Sequence, residues 1–262
     1  MGSAESEQAP YHRTPSGALR SGPLSHTCRQ HLPTIQGMLP IAEPPHACVD
    51  WAGESLHLLP ERALWWPAAQ TLFVADLHLG KAATYRALGQ PVPHGTTQDN
   101  LTRLDELITR LQARRLVCLG DFLHAPAAHT PHVLVSLQAW RERHAALDAT
   151  LVRGNHDDRA GDPPPSLGIA VVDEPWLLGP FACCHHPQSH PTHHVLAGHL
   201  HPVVALQGPG RDRLRLPCFV SEPGQSILPA FGAFTGGHVL GASPGRQHHA
   251  VGGERVWTLP PR

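Results

Sequence analysis

The apolar positions of the chain follow two different periods. Residues 71–75 (TLFVA), 115–119 (RLVCL), 150–152 (TLV), 181–184 (FACC) and 195–197 (VLA) are short unbroken apolar runs. Such runs are expected of strands buried on both faces. Residues 55–59 and 63–66 flank a Pro60–Glu61 turn and read as two more short strands, as do residues 169–172 and 176–178. Two segments show helical spacing instead. Residues 97–113 place Leu101, Leu104, Leu107, Ile108 and Leu111 on one face with charges opposite. Residues 131–147 turn Leu134, Leu137 and Trp140 inward, with Pro131 in the first turn. Strand and helix alternate in the first half, and the second half is mostly strand. This order predicts an α/β layered sandwich with helices covering its sheets.

Residues 1–45 are rich in Pro, Ser, Gly, Gln and His and show neither period, so they are expected to be a disordered extension. A single domain is expected over 46–262, ending in a loose Gly-, His- and Arg-rich tail apart from a strand at 256–259. No internal repeat is evident.

The chain of 262 residues is long enough for a substantial core. A formal net charge of −1 gives no bulk attraction to nucleic acid or membrane, so a DNA substrate would need a local basic face, metal ions or a partner protein. The six cysteines form no C-x-x-C pair, which argues against a zinc ribbon or redox dithiol. No apolar run approaches the roughly 20 residues of a membrane span, and the first residues lack a signal-peptide pattern, so a cytoplasmic location is expected. The 22 histidines change the picture, because imidazole is the commonest protein metal ligand.

Their position matters more than their number. The apolar runs end in Asp76-Leu77-His78, Gly120-Asp121, Arg153-Gly154-Asn155-His156-Asp157, His185-His186 and Gly198-His199-Leu200-His201. Five strand ends thus carry metal-ligand types, at the carboxyl ends where α/β sheets assemble their sites. Alternate residues of an extended strand end share a face, so Asp76 with His78, and His199 with His201, can point at one ion. Carboxylate, carbonyl and imidazole donors without thiolate suit Mn, Fe or Zn. Each motif alone is an ordinary polar strand end or turn; the weight lies in their order.

This set resembles the calcineurin-like metallophosphoesterases. The resemblance implies two mixed β-sheets flanked by helices and two divalent ions. Asp121 would bridge them, with Asp76, His78 and His201 completing one site and Asn155, His185 and His199 the other. His186 is an alternative to His185; the family commonly uses the residue directly after the strand. His156 would stay off the metals near the phosphate and leaving group, oriented by Asp157. A metal-activated hydroxide would then attack phosphorus in line. The Leu79-Gly80-Lys81 step and LPAFGAFTGG over 228–237 are similar to the ligase-associated DNA damage response phosphodiesterases. That narrower resemblance implies a Mn-dependent phosphodiesterase and DNA endonuclease of bacterial repair, acting with DNA ligase, a helicase and an exonuclease. Lys81, Arg86, Arg153 and Arg159 are candidate phosphate contacts, or ordinary solvated charges. Arg211, Arg213 and Arg215 form a DNA-facing ledge or a charged strand edge. No helix-turn-helix, zinc finger or aromatic stacking platform is visible, so sequence-specific reading of DNA is not expected. A small-molecule phosphodiesterase and a non-catalytic metal-binding subunit of a repair complex are the competing readings.

Overall fold

The computed structural model describes residues 45–87, 89, 92, 95–210 and 212–260, within one compact unit. The expected disordered extension lies outside these residues. The chain first forms an antiparallel meander of β1 (Ala47–Trp51), β2 (Glu54–Leu58), β3 (Leu64–Trp66) and β4 (Thr71–Val74). Beyond β4 the sheet continues in parallel through β5 (Arg115–Leu119), β6 (Asp148–Val152) and β7 (Ala170–Val172). The connections hold α1 (Lys81–Ala87) and α2 (Thr96–Leu111), then α3 (Pro131–Arg143), then the single turn α4 (Asp157–Ala160).

The second sheet contains β8 (Trp176–Leu178), β9 (Phe181–Cys183), β10 (His194–Ala197), β11 (Pro202–Gln207), β12 (Arg213–Glu222), β13 (Gln225–Ile227) and β14 (His238–Val239). Its order is β14-β11-β12-β13-β10-β9-β8, with parallel and antiparallel neighbours mixed.

The alternation along β4 shows how the layers form. Leu72 and Val74 pack with Leu101, Leu104 and Leu107 of α2 and with Leu137 and Trp140 of α3. Phe73 and Ala75 turn the other way and pack with Phe181, Cys183, Leu196 and Phe219 of the second sheet. A buried Leu or Phe is worth ~1.5–3 kcal/mol, so both faces of this strand are stabilising and its register is fixed. In α3 it is Val133 that is buried with Leu137 and Trp140, while Leu134 is half-buried. The helix stops at Arg143, short of residue 147, and Arg141 donates to the carbonyls of His144 and Leu147 just beyond it and to that of the distant Leu167.

The end of the chain is not a loose tail. β15 (Gln247–Gly252) and β16 (Arg255–Thr258) form a hairpin paired to β12. Its polar side chains are satisfied laterally: buried His249 meets Thr258 Oγ1 at 2.9 Å and Ser221 Oγ at 3.4 Å. Among the described residues no helix is long and apolar enough to cross a membrane.

Candidate metal centre

Backbone hydrogen bonds carry the first sheet's ladder past its strand ends and so position the polar residues. Asp76 N–H donates to Gly120 O (3.2 Å), and His78 N–H to Asp121 O (2.8 Å). The 228–237 segment clamps the same turn, with Phe231 N–H donating to Ala75 O (2.8 Å) and Gly232 N–H to Asp76 O (3.1 Å). The turns are tight. Asp76, His78, Asp121, His199 and His201 all adopt left-handed φ, between 45° and 68°. Such a conformation costs a non-glycine residue ~1–2 kcal/mol, and five of them at one place mark a site the scaffold holds against strain. A side chain is impossible at the adjoining Gly120, where a Cβ would lie 2.0 Å from His185 Nδ1, or at Gly154, where it would lie 2.5 Å from Asp121 Oδ1.

The five strand ends meet. His185 Nε2 lies 3.0 Å from Asn155 Oδ1, 3.1 Å from His199 Nδ1 and 3.4 Å from Asp121 Oδ1. His78 Nε2 lies 3.3 Å from His201 Nε2 and 3.5 Å from Asp121 Oδ2, and His201 Nε2 lies 3.4 Å from Asp76 Oδ1. Ligands on one ion with bonds of ~2.1 Å stand roughly 3.0–3.4 Å apart, so the spacing fits shared cations. The donor chemistry agrees. His185 Nδ1 donates to Leu119 O (3.0 Å) and His201 Nδ1 to Thr235 O (3.2 Å), since a carbonyl can only accept. Each ring therefore turns an Nε2 lone pair toward the cluster. Asp76 and Asp121 are buried. Two buried carboxylates among lone pairs are costly without a cation between them. Burial, with the positive neighbours His201 and Lys81, holds His78 far below the usual imidazole range. Burial and His185 lower His199. For His201 burial is the largest single cause and acts downward, but the hydrogen bond and charge of Asp76, with the Thr235 carbonyl, together raise it.

Of the two adjacent histidines, His185 reaches Asn155, Asp121 and His199. His186 Nδ1 instead bonds Glu174 Oε1 at 2.6 Å. The same Glu174 accepts the N–H groups of His185 (2.6 Å) and His186 (2.8 Å), fixing the turn after β9.

His156 stands at the edge of the cluster, its N–H donating to Asp121 Oδ1 at 2.9 Å. Its partner is not the expected one. His156 Nδ1 donates to His124 O (2.8 Å), and the two rings stack with centroids 4.9 Å apart. Asp157 instead spends its carboxylate on backbone N–H groups: Phe122 (2.9 Å) and Leu123 (3.1 Å) on one oxygen, Gly154 (3.0 Å) on the other. It joins the turns after β5 and β6 rather than orienting a ring. Burial pushes its carboxyl up to about 6 against the pull of those donors.

Lys81 opens α1 close to the centre; burial lowers its pKa, and Asp121 and Asp76 oppose the shift. Arg86 lines a small cavity with Thr97 and His132. Arg153 is ion-paired with Asp162 (2.9 Å) and Asp173, so its charge is already compensated and it is a poor phosphate contact. Arg213 and Arg215 lie on β12; Arg215 donates to Gly237 O.

The sequence reading missed His124, Glu174 and an aromatic pair. His124 follows Asp121 by three residues and its ring lies 5.2 Å from that of His78, burial and Lys81 lowering it to about 4. Tyr85 on α1 stands 6.0 Å from the His124 ring and 5.9 Å, edge-on, from Phe234. Only the spacing Asp121-x-x-His124 was available as a local signal.

No protein-family model matches the chain. No curated protein matches it. Among solved structures it aligns with the crystal structure of Pseudomonas putida nuclease MPE at 48% identity and a TM-score of 0.73, over 82% of this chain and 100% of that one. The chain belongs to the same metallophosphoesterase family. It is a metallophosphoesterase built as an α/β sandwich of two mixed sheets. A second structure, the E. coli phosphoesterase Yfce, aligns at 18% identity with a TM-score of 0.33 over 71% of this chain and 95% of that one, a likeness too low to bear on the assignment.

Proposed function

We propose that this metallophosphoesterase is a metal-dependent phosphodiesterase that cleaves DNA. The meeting of Asp76, His78, Asp121, Asn155, His185, His199 and His201 from five strand ends carries the reading, and the likeness to a nuclease over that protein's whole length supports its substrate. Asp121 has one oxygen toward each half of the cluster, so it is proposed as the shared ligand of two ions. The donor set, without thiolate, suits Mn, Fe or Zn, and the sequence resemblance favours Mn2+ among them. Bound divalent ions would neutralise phosphoryl oxygens and lower the pKa of a water that serves as nucleophile.

The chain's own groups supply the rest. His156, with Nδ1 held by His124 O, presents Nε2 to the substrate. When Nε2 also carries a proton, as in the imidazolium, it hydrogen-bonds a phosphoryl oxygen or protonates the leaving alkoxide. Lys81 adds positive charge beside the same oxygens. Tyr85 and Phe234, the latter 36% exposed, form a surface on which a base next to the scissile phosphate can stack. The role in repair, with DNA ligase, a helicase and an exonuclease in the bacterial cytoplasm, rests on the sequence resemblance alone.

The test is Mn2+-dependent hydrolysis of a bis-aryl phosphodiester and of a structured single-stranded DNA oligonucleotide, side by side. His156→Ala is expected to keep its metal and lose about 10²-fold in kcat on both. Cleavage of the aryl diester alone would shift the reading to a small-molecule diesterase. No turnover with metal bound would favour a non-catalytic subunit. Phe234→Ala is expected to raise KM for DNA about tenfold, the worth of ~1.4 kcal/mol of stacking, at unchanged metal content. An unchanged KM would take the aromatic pair off the substrate path.

A further inference from the structure

A second group of metal-ligand residues lies outside the centre, at the β1 end of the first sheet. Cys48 on β1 pairs directly with His57 on β2, and their neighbours Val49 and Leu56 form the next pair. Leu56 is fully buried, so the alternation turns Cys48 and His57 to the opposite, outer face. His46 precedes Cys48 by two residues and comes to the same face, its ring stacked on that of His57 with centroids 4.4 Å apart. The ligand atoms of His46, Cys48 and His57 all lie within 4.8 Å of one another.

We propose that His46, Cys48 and His57 bind a divalent ion of borderline softness, such as Zn2+, separate from the catalytic centre. Thiolate with two imidazoles favours a softer ion such as Zn2+, whereas the oxygen- and nitrogen-donor centre described above also suits Mn or Fe. Binding forms one metal–sulfur and two metal–nitrogen bonds and releases the Cys48 proton to solvent. The imidazoles need lose no proton. Burial and the nearby Arg110 guanidinium keep His46 below its ordinary pKa, and burial with His46 does the same for His57. Arg110 itself is paired with Glu61 at 2.6 Å, which offsets its repulsion of an incoming cation. Cys48 is exposed, leaving a coordination position open to solvent. His46 and His57 also line a cavity of about 970 Å3 with Trp65, Arg103 and Arg110. The ion would fasten β1, the edge strand of this sheet, to β2.

Cobalt distinguishes the two sites, because a thiolate ligand gives a near-ultraviolet charge-transfer absorption that oxygen and nitrogen ligands do not. Among the described residues this is the one metal-type cluster containing a thiol. The full chain titrated with Co2+ is expected to develop that absorption. Cys48→Ser should abolish it, and Cys28→Ser should leave it intact. Absence of the band in the wild type, or its survival in Cys48→Ser, would overturn the proposal. Neither result depends on hydrolytic activity, so the catalytic reading stands or falls separately.

Discussion

Asp121→Asn is expected to remove most bound metal and to lower kcat/KM by roughly 10³-fold or more, as follows when both the ions and their activation of the nucleophile are weakened together. The substitution keeps the side chain's shape. The left-handed turn at Asp121 and the hydrogen bond from His156 N–H to Oδ1 can both persist. What goes is the negative charge, and one side-chain oxygen becomes an amide donor. In the wild type Oδ1 lies 3.4 Å from His185 Nε2, and Oδ2 lies 3.5 Å from His78 Nε2. No single amide orientation presents an oxygen to both halves. Metal content by elemental analysis, beside steady-state kinetics in Mn2+, checks this. Two equivalents of metal and near-normal turnover in Asp121→Asn would mean that the halves do not share this residue.

Asp157→Ala is expected to destabilise the fold by about 3 kcal/mol. Each buried N–H left without a partner costs roughly 1–3 kcal/mol, and three are stranded: Phe122, Leu123 and Gly154. A partial offset comes from no longer burying a carboxylate, a cost visible in its raised pKa. The donors should win, because they serve the turns that carry Asp121 and Asn155, and those turns have no slack beside Gly120 and Gly154. A lower denaturant midpoint at unchanged slope is the expected signature, accompanied by weaker metal binding. Stability within about 0.5 kcal/mol of wild type would mean that water or other groups replace the carboxylate.

These two residues show what was legible in the chain. Asp121 could be read because it follows an unbroken apolar run, and the same signal exposed every ligand proposed for that centre. Strand ends are local facts, and parallel pairing brings them together. The role of Asp157 could not be read. The N–H groups that donate to it lie on the turn 34 and 35 positions away as well as on its own, and no local pattern encodes that reach. The fold divides in the same way. β4, β5 and β6 were evident from composition. α1 was not, because KAATYRA is too short to show a face. β15 was not, because QHHAVG looks like solvent-exposed sequence until β12 and β16 satisfy its histidines. Tyr85 and Phe234 escaped notice as a pair because only the folded chain makes them neighbours.

The proposed ligands stand on the ends of strands, whereas Tyr85 and Phe234, the proposed stacking surface, stand on connections, one on a seven-residue helix and one on a loop. The two kinds of position answer to different constraints. A strand end is fixed by every residue packed beneath it, and to shift it is to disturb the core. A connection can be lengthened, shortened or exchanged with little cost to what lies below. The architecture therefore separates the inheritance of the reaction from that of the substrate. A descendant, or an engineer, can re-address the enzyme to a different phosphodiester by rewriting the rim while the centre stays as it is.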